Sequence, residues 1–195
     1  MPNKKIAVSV SILFIIQMLT AAIGNTFVQA FVDGDPNKTA LTIGVLLMMF
    51  SGLVIAAIGL VLYRALKPVK YRLTVWIPAI RITECVVAII FGIYVLTQSQ
   101  VVPNHLLWVY ILAGSAGVIL GYLLFVSKLV PRPIAVLGII GYGLILIGVP
   151  LDFAGVLDMN QGVGQIMLIP GGLFEIAVLP IWLIAKGFNK VQRTA

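Results

Sequence analysis

Six long apolar stretches constrain this chain more than any other feature of it. They run from about Ile6 to Phe31, Ala40 to Leu66, Leu73 to Thr97, Leu106 to Val126, Ile134 to Leu157 and Val163 to Ala185. Each is long enough to cross a hydrocarbon layer of about 30 Å at about 1.5 Å per residue. Lipid offers no hydrogen bonds to a bare backbone, so each span is expected to be a helix. Only 10% of the residues are charged, where a soluble domain carries about a quarter, which excludes a water-soluble globule. In 195 residues the spans leave short loops and tails, too little for a soluble catalytic or nucleic-acid-binding domain. The expected fold class is all-α: a polytopic membrane protein, a single transmembrane domain over residues 1–195, built as a six-transmembrane-helix bundle.

Basic residues orient the spans. Of the thirteen, all but Lys38 and Arg81 fall at one set of helix ends: Lys4, Lys5, Arg64, Lys67, Lys70, Arg72, Lys128, Arg132, Lys186, Lys190 and Arg193. The other side holds Lys38 with Asp33, Asp35 and Asp158. Positive charge is retained in the cytoplasm, so both termini are expected there. The net charge of +7 is then a topology signal, and no nucleic-acid partner is expected. Val28-Gln29-Ala30 resembles a cleavage site, but the first apolar run far exceeds the about 7 to 15 residues of a signal peptide. That span reads as retained.

Four ionisable residues fall inside spans: Arg81, Glu84, Asp152 and Glu175. At a helix centre each costs about 2.5 to 3.5 kcal/mol on insertion scales, so such groups normally face inward and find partners. Arg81 and Glu84, three apart, share one helix face. At 1.5 Å per residue Glu84 lies about 16 Å from its cytoplasmic end, and Glu175 about 17 Å from the outer end of span six. Both carboxylates thus fall near the midplane, where with Arg81 they are expected to form a Glu–Arg–Glu cluster between spans three and six. The functional reading is a substrate- or proton-binding site that includes Asp152; the alternative is a buried ion pair that sets helix register. Burial favours a neutral acid, which makes a Glu175 left without the arginine the better proton carrier. Asp152, nearer the outer third of span five, also reads as a solvated rim residue.

Pro78, Pro150, Pro170 and Pro180 lie within spans. The string Ile169-Pro170-Gly171-Gly172, just before Glu175, is expected to break the sixth helix. A half-helix N-terminus would then point its partial positive charge at the midplane. Ile77-Pro78 precedes Glu84 much as Ile169-Pro170 precedes Glu175, in spans that run in opposite directions, a trace of two inverted halves.

Small residues at four-residue spacing let helices approach closely. Ala113, Gly117 and Gly121 form one such stripe; Gly52, Ala56 and Gly59 another; and Gly138, Gly141, Gly143 and Gly148 a third cluster. They read first as contacts within the bundle and second as a homodimer face. Gln17, Thr20 and Gly24 make a mildly polar stripe on span one, fit to line a cavity or to contact another helix. His105, beside Pro103 and Asn104, reads as an interfacial residue rather than a metal or haem ligand. The lone Cys85 reads as a buried thiol. Asp33, Asp35 and Asn37 open like an EF-hand loop, but Lys38 and Gly44 replace its required Gly and Glu. No metal and no cofactor is expected.

The strings Ala79-Ile80-Arg81-Ile82-Thr83-Glu84, Leu129-Val130-Pro131-Arg132, and Phe174-Glu175 through Trp182-Leu183-Ile184-Ala185-Lys186-Gly187-Phe188 together resemble one family. It is the small prokaryotic multi-span family catalogued as domain of unknown function 4386, and the likeness runs over spans three to six. Members typically carry a larger segment between spans three and four than residues 98–105 provide. The resemblance implies a multi-pass protein of a prokaryotic plasma membrane, with no activity to transfer, and it draws attention to Arg81, Glu84 and Glu175.

Three functions fit these residues. The first is a small transporter or ligand-binding bundle that uses the midplane Arg/Glu cluster on a small-molecule or lipid ligand. The second is a non-catalytic interaction or immunity-type membrane protein whose ion cluster only specifies the bundle. The third, an intramembrane lipid-modifying enzyme, lacks any nucleophile or metal set, and no catalytic residue is assigned.

Overall fold

The computed structural model describes residues 4–102 and 104–189; Lys190 and Arg193 of the basic set, and Pro103, lie outside the described residues. Six helices are long and apolar enough to cross a membrane: α1 (Lys4–Val32), α2 (Lys38–Leu66), α3 (Trp76–Gln98), α4 (His105–Ser127), α5 (Arg132–Phe153) and α6 (Gly162–Ala185). A single helical turn, Tyr71–Thr74, leads into α3. Among the described residues there is no strand. The protein is an all-α integral membrane protein with six spans.

Each helix packs on its neighbours in sequence, and α6 closes against α1, so the six form a ring. Large apolar side chains such as Ile12, Leu53, Ile90, Ile140 and Ile181 stay exposed on the outside, as lipid-facing surfaces require. The larger apolar core draws on all six helices and includes Phe14, Ile58, Ile77, Leu120, Tyr142 and Phe174. A smaller one, Val28, Leu41, Val45 and Val95, lies near the ends that carry the α1–α2 and α3–α4 loops.

The chain ends meet at the opposite face. A side chain on Gly187 would lie 3.9 Å from Lys4 Cγ. The Asn189 backbone N–H and side-chain amide donate to the carbonyls of Leu129 and Lys128, at 2.8 and 3.1 Å. Lys70 Nζ reaches the Tyr122 hydroxyl at 2.8 Å, which brings the α2–α3 connection to the same face.

Close helix approach rests on glycine. A methyl on Gly24 would stand 2.7 Å from the Gly44 carbonyl oxygen, at the α1–α2 crossing. On Gly59 it would meet Arg81 Cβ at 2.9 Å, and on Gly138 the Phe174 ring at 2.8 Å. The small-residue stripes of α2, α4 and α5 are thus filled from within the chain; only Gly143 has open space beside it.

Two expectations are corrected. Span five ends at Phe153 rather than Leu157, because Gly155 turns the chain at φ 70° and the Asp152 carboxylate accepts the Met159 N–H at 2.6 Å. Span six is not broken at Pro170, Gly171 and Gly172. It stays helical and changes its winding instead: a 3₁₀ stretch at Gly162–Leu168, an α stretch at Ile169–Leu173, a π turn at Phe174–Val178 and α again at Leu179–Ala185. Pro170 and Pro180 each fall in the first turn of an α stretch, the position where proline is best tolerated. In a regular helix the Pro180 ring would also press on the Ile176 carbonyl, and the wide turn before it relieves that contact. No half-helix N-terminus therefore points at the bundle centre.

Candidate functional site

The residues near the middle of α3 and α6 meet inside the ring. Arg81 Nη1 donates to Glu84 Oε2 at 2.9 Å, one turn away on α3. Its Nη2 reaches across to Glu175 Oε1 at 3.3 Å. Arg81 and Glu84 are 3% and 2% exposed and Glu175 12%, so the charges sit in a medium where pairing matters. Gly59 of α2 makes room for the arginine stem, and the π turn carries Glu175.

A fourth member comes from α5. The Tyr142 hydroxyl donates to Glu175 Oε1, the same oxygen that faces the guanidinium. Its ring fills the space a side chain on Gly117 would take and packs edge-on against Phe174, centroids 6.0 Å apart. Sequence reasoning missed Tyr142. A tyrosine between Gly141 and Gly143, in mid-span where aromatic belts do not reach, was the available signal.

Asp152 does not join this group. Its carboxylate is spent on the Met159 N–H in the α5–α6 connection. Pro170, Gly171 and Gly172 serve packing and space. A methyl on Gly141 would approach the Gly171 nitrogen to 2.5 Å, so the α5 and α6 backbones touch there, while Gly172 faces a cavity with only Met18 Cε near it, at 3.8 Å.

That cavity, about 400 Å³, is lined by all six helices. The Arg81, Glu84, Tyr142 and Glu175 side chains form its floor. From there its lining extends toward the loop face opposite the chain ends, past Phe91 and Gly92 to Asn25, Val28, Val95 and His105. Gln17 of the polar stripe on α1 lines it and is buried. Thr20, by contrast, turns back to the Ile16 and Gln17 carbonyls, and Gly24 packs on α2. His105 lines the far end, with Nδ1 2.8 Å from the Val102 carbonyl and its ring edge-on to Phe91. At the loop face Asp35 Oδ1 accepts the Asn37 N–H and Asn37 Oδ1 the Ala40 N–H, so both serve the α2 N-terminus.

With both carboxylates ionised, one guanidinium leaves the cluster a single net negative charge. One proton or one cation balances it. The arrangement can therefore hold a positive charge at the end of a mostly apolar chamber.

No curated protein and no solved structure gives a match to the chain. The family model described as Domain of unknown function (DUF4386) matches residues 95–187, which carry the end of α3 and all of α4, α5 and α6. This is the family the sequence resembles, and the match lies in the second half of the chain. Tyr142 and Glu175 fall inside the match and Arg81 and Glu84 before it.

Proposed function

We propose that the protein is a small ligand-binding bundle of the transporter type, in which Arg81, Glu84 and Glu175, assisted by Tyr142, hold a substrate or a proton in mid-membrane. The observation that carries this reading is the cavity. A cluster that only set helix register would be packed over, whereas this one floors a chamber of about 400 Å³, within the size range of small-molecule sites. A charge kept next to empty space in a membrane is costly, which is the usual mark of a pathway residue. Asp152, held in the outer connection, is left out of the proposed site. The bilayer in question is the prokaryotic cytoplasmic membrane, a reading supported by the family resemblance, with the basic face and both termini in the cytoplasm.

Reconstitution tests it. Proteoliposomes with an internal pH dye should take up protons when a membrane potential is imposed or a substrate mixture is added. Glu84→Gln and Glu175→Gln proteins should lose that signal. Equal flux in wild type and both variants overturns the reading and leaves the cluster a structural device.

A further inference from the structure

We propose that the cavity takes a small amphiphile with one positive charge: an ammonium head against Glu84 and Glu175, and an apolar body reaching toward Phe91 and Val95. This rests on the ligand-binding reading above and names its ligand class.

Three observations converge. First, with both carboxylates ionised the charges do not balance. Two carboxylates face one guanidinium, so an anion entering the cavity would meet more like charge than unlike, while a single cation brings the floor to neutrality. Other groups that could alter this count are few. Of the charged and titratable side chains lining the cavity, α3 gives Arg81 and Glu84, α4 His105 and Tyr110, α5 Tyr142 and α6 Glu175; α1 and α2 give none.

Second, the floor has acceptors to spare. Glu84 binds Arg81 through Oε2, and Glu175 binds both Arg81 and Tyr142 through Oε1. Among the described residues nothing donates to Glu84 Oε1 or Glu175 Oε2, and neither is a sealed, orphaned atom. Both residues line the cavity. Gln17, 7% exposed on the same wall, has a side-chain amide with no partner among the described residues and adds a third acceptor. Three N–H groups on a compact ammonium match such a set.

Third, most of the remaining wall is apolar, with Met18, Ile55, Phe91, Val109, Ile145 and Leu168 supplying one such side chain from each helix. That wall favours a hydrocarbon body over a hydrated ion or a polyamine. The volume of about 400 Å³ suits a body of modest length and excludes a two-chain lipid.

The test uses the full chain in phosphatidylcholine nanodiscs, titrated calorimetrically with octylammonium, octanol, octyl sulfate and lysophosphatidylethanolamine, each corrected against empty discs. Octylammonium should bind saturably. Glu175→Gln or Glu84→Gln should weaken it about tenfold or more, the weight of one charged contact at about 1.4 kcal/mol. Each variant leaves Arg81 paired with the other glutamate, so the bundle is expected to persist. Gly172→Leu, which directs a side chain into the free space beside Met18, should abolish binding without disturbing the charges. If octyl sulfate, octanol or the zwitterionic lysolipid binds as tightly as octylammonium, and Gly172→Leu blocks it, the ligand class is wrong and the cavity remains a binding site. If no probe binds in a manner sensitive to Gly172→Leu, the ligand-binding reading falls as well.

Discussion

Arg81 is the residue on which the interior depends most. Among the described residues it is the only cation facing Glu84 and Glu175 within the cavity, and its stem fits because Gly59 has no side chain. Arg81→Met should therefore strand two buried carboxylates and lower stability by about 3 to 5 kcal/mol, read from unfolding titrations in dodecyl sulfate. Retention of wild-type stability would mean that the carboxylates are not paired as described. Tyr142 has two separable parts: a ring that fills the notch at Gly117 and a hydroxyl that serves Glu175. Tyr142→Phe keeps the first and removes the second. The expected loss is about 1.5 to 3 kcal/mol in the same titration, the range for a hydrogen bond to a charged group. No loss would place the hydroxyl outside the cluster's energetics.

Among the elements, α6 departs furthest from regularity, and the glycines at and beside its contact with α5 divide by role. Gly141→Ala puts a methyl 2.5 Å from the Gly171 backbone, which cannot move aside as a side chain would, so α5 and α6 must separate. Overpacking of this kind costs about 1 to 3 kcal/mol. Gly172→Ala meets only Met18 Cε at 3.8 Å and replaces a poor helix former with the best one, so it should be neutral or stabilising by up to about 1 kcal/mol. Parallel thermal unfolding of the two variants checks the contrast; equal effects would argue against the described packing. The same helix shows where sequence reading succeeds and where it stops. Spans were legible because twenty-residue apolar runs have one physical solution in lipid. The meeting of Arg81, Glu84 and Glu175 was legible too, since depth along a straight helix follows from counting residues. The winding of α6 was not, because Pro170 and the two glycines after it signal weak helicity without saying whether neighbours will hold the helix together. Gly141 does so by backbone contact, a fact about α5 that no local pattern in α6 contains. The role of Asp152 was left open for a related reason. An acid near a span end reads alike whether it faces a pathway or, as here, holds a turn.

For the whole molecule, the ring of helices places its charge asymmetrically. Lys4, Lys70, Lys128 and the chain end gather on one face, and the cavity extends toward the other. A fluorescent reporter that matures only in the cytoplasm should light up when fused to the C-terminus, and one active only outside should work in the loop around Gly34. The reverse pattern would invert the assignment of the two faces. The ring also has a temporal side. Because Arg81 is paired with Glu84 one turn further on, α3 can leave the translocation machinery as an electrically neutral segment before α6 has reached the bilayer. Of the four cluster residues Glu175 emerges last, after Tyr142 is already in the bilayer. The cluster is thus completed only by the arrival of α6, well after the arginine has been inserted.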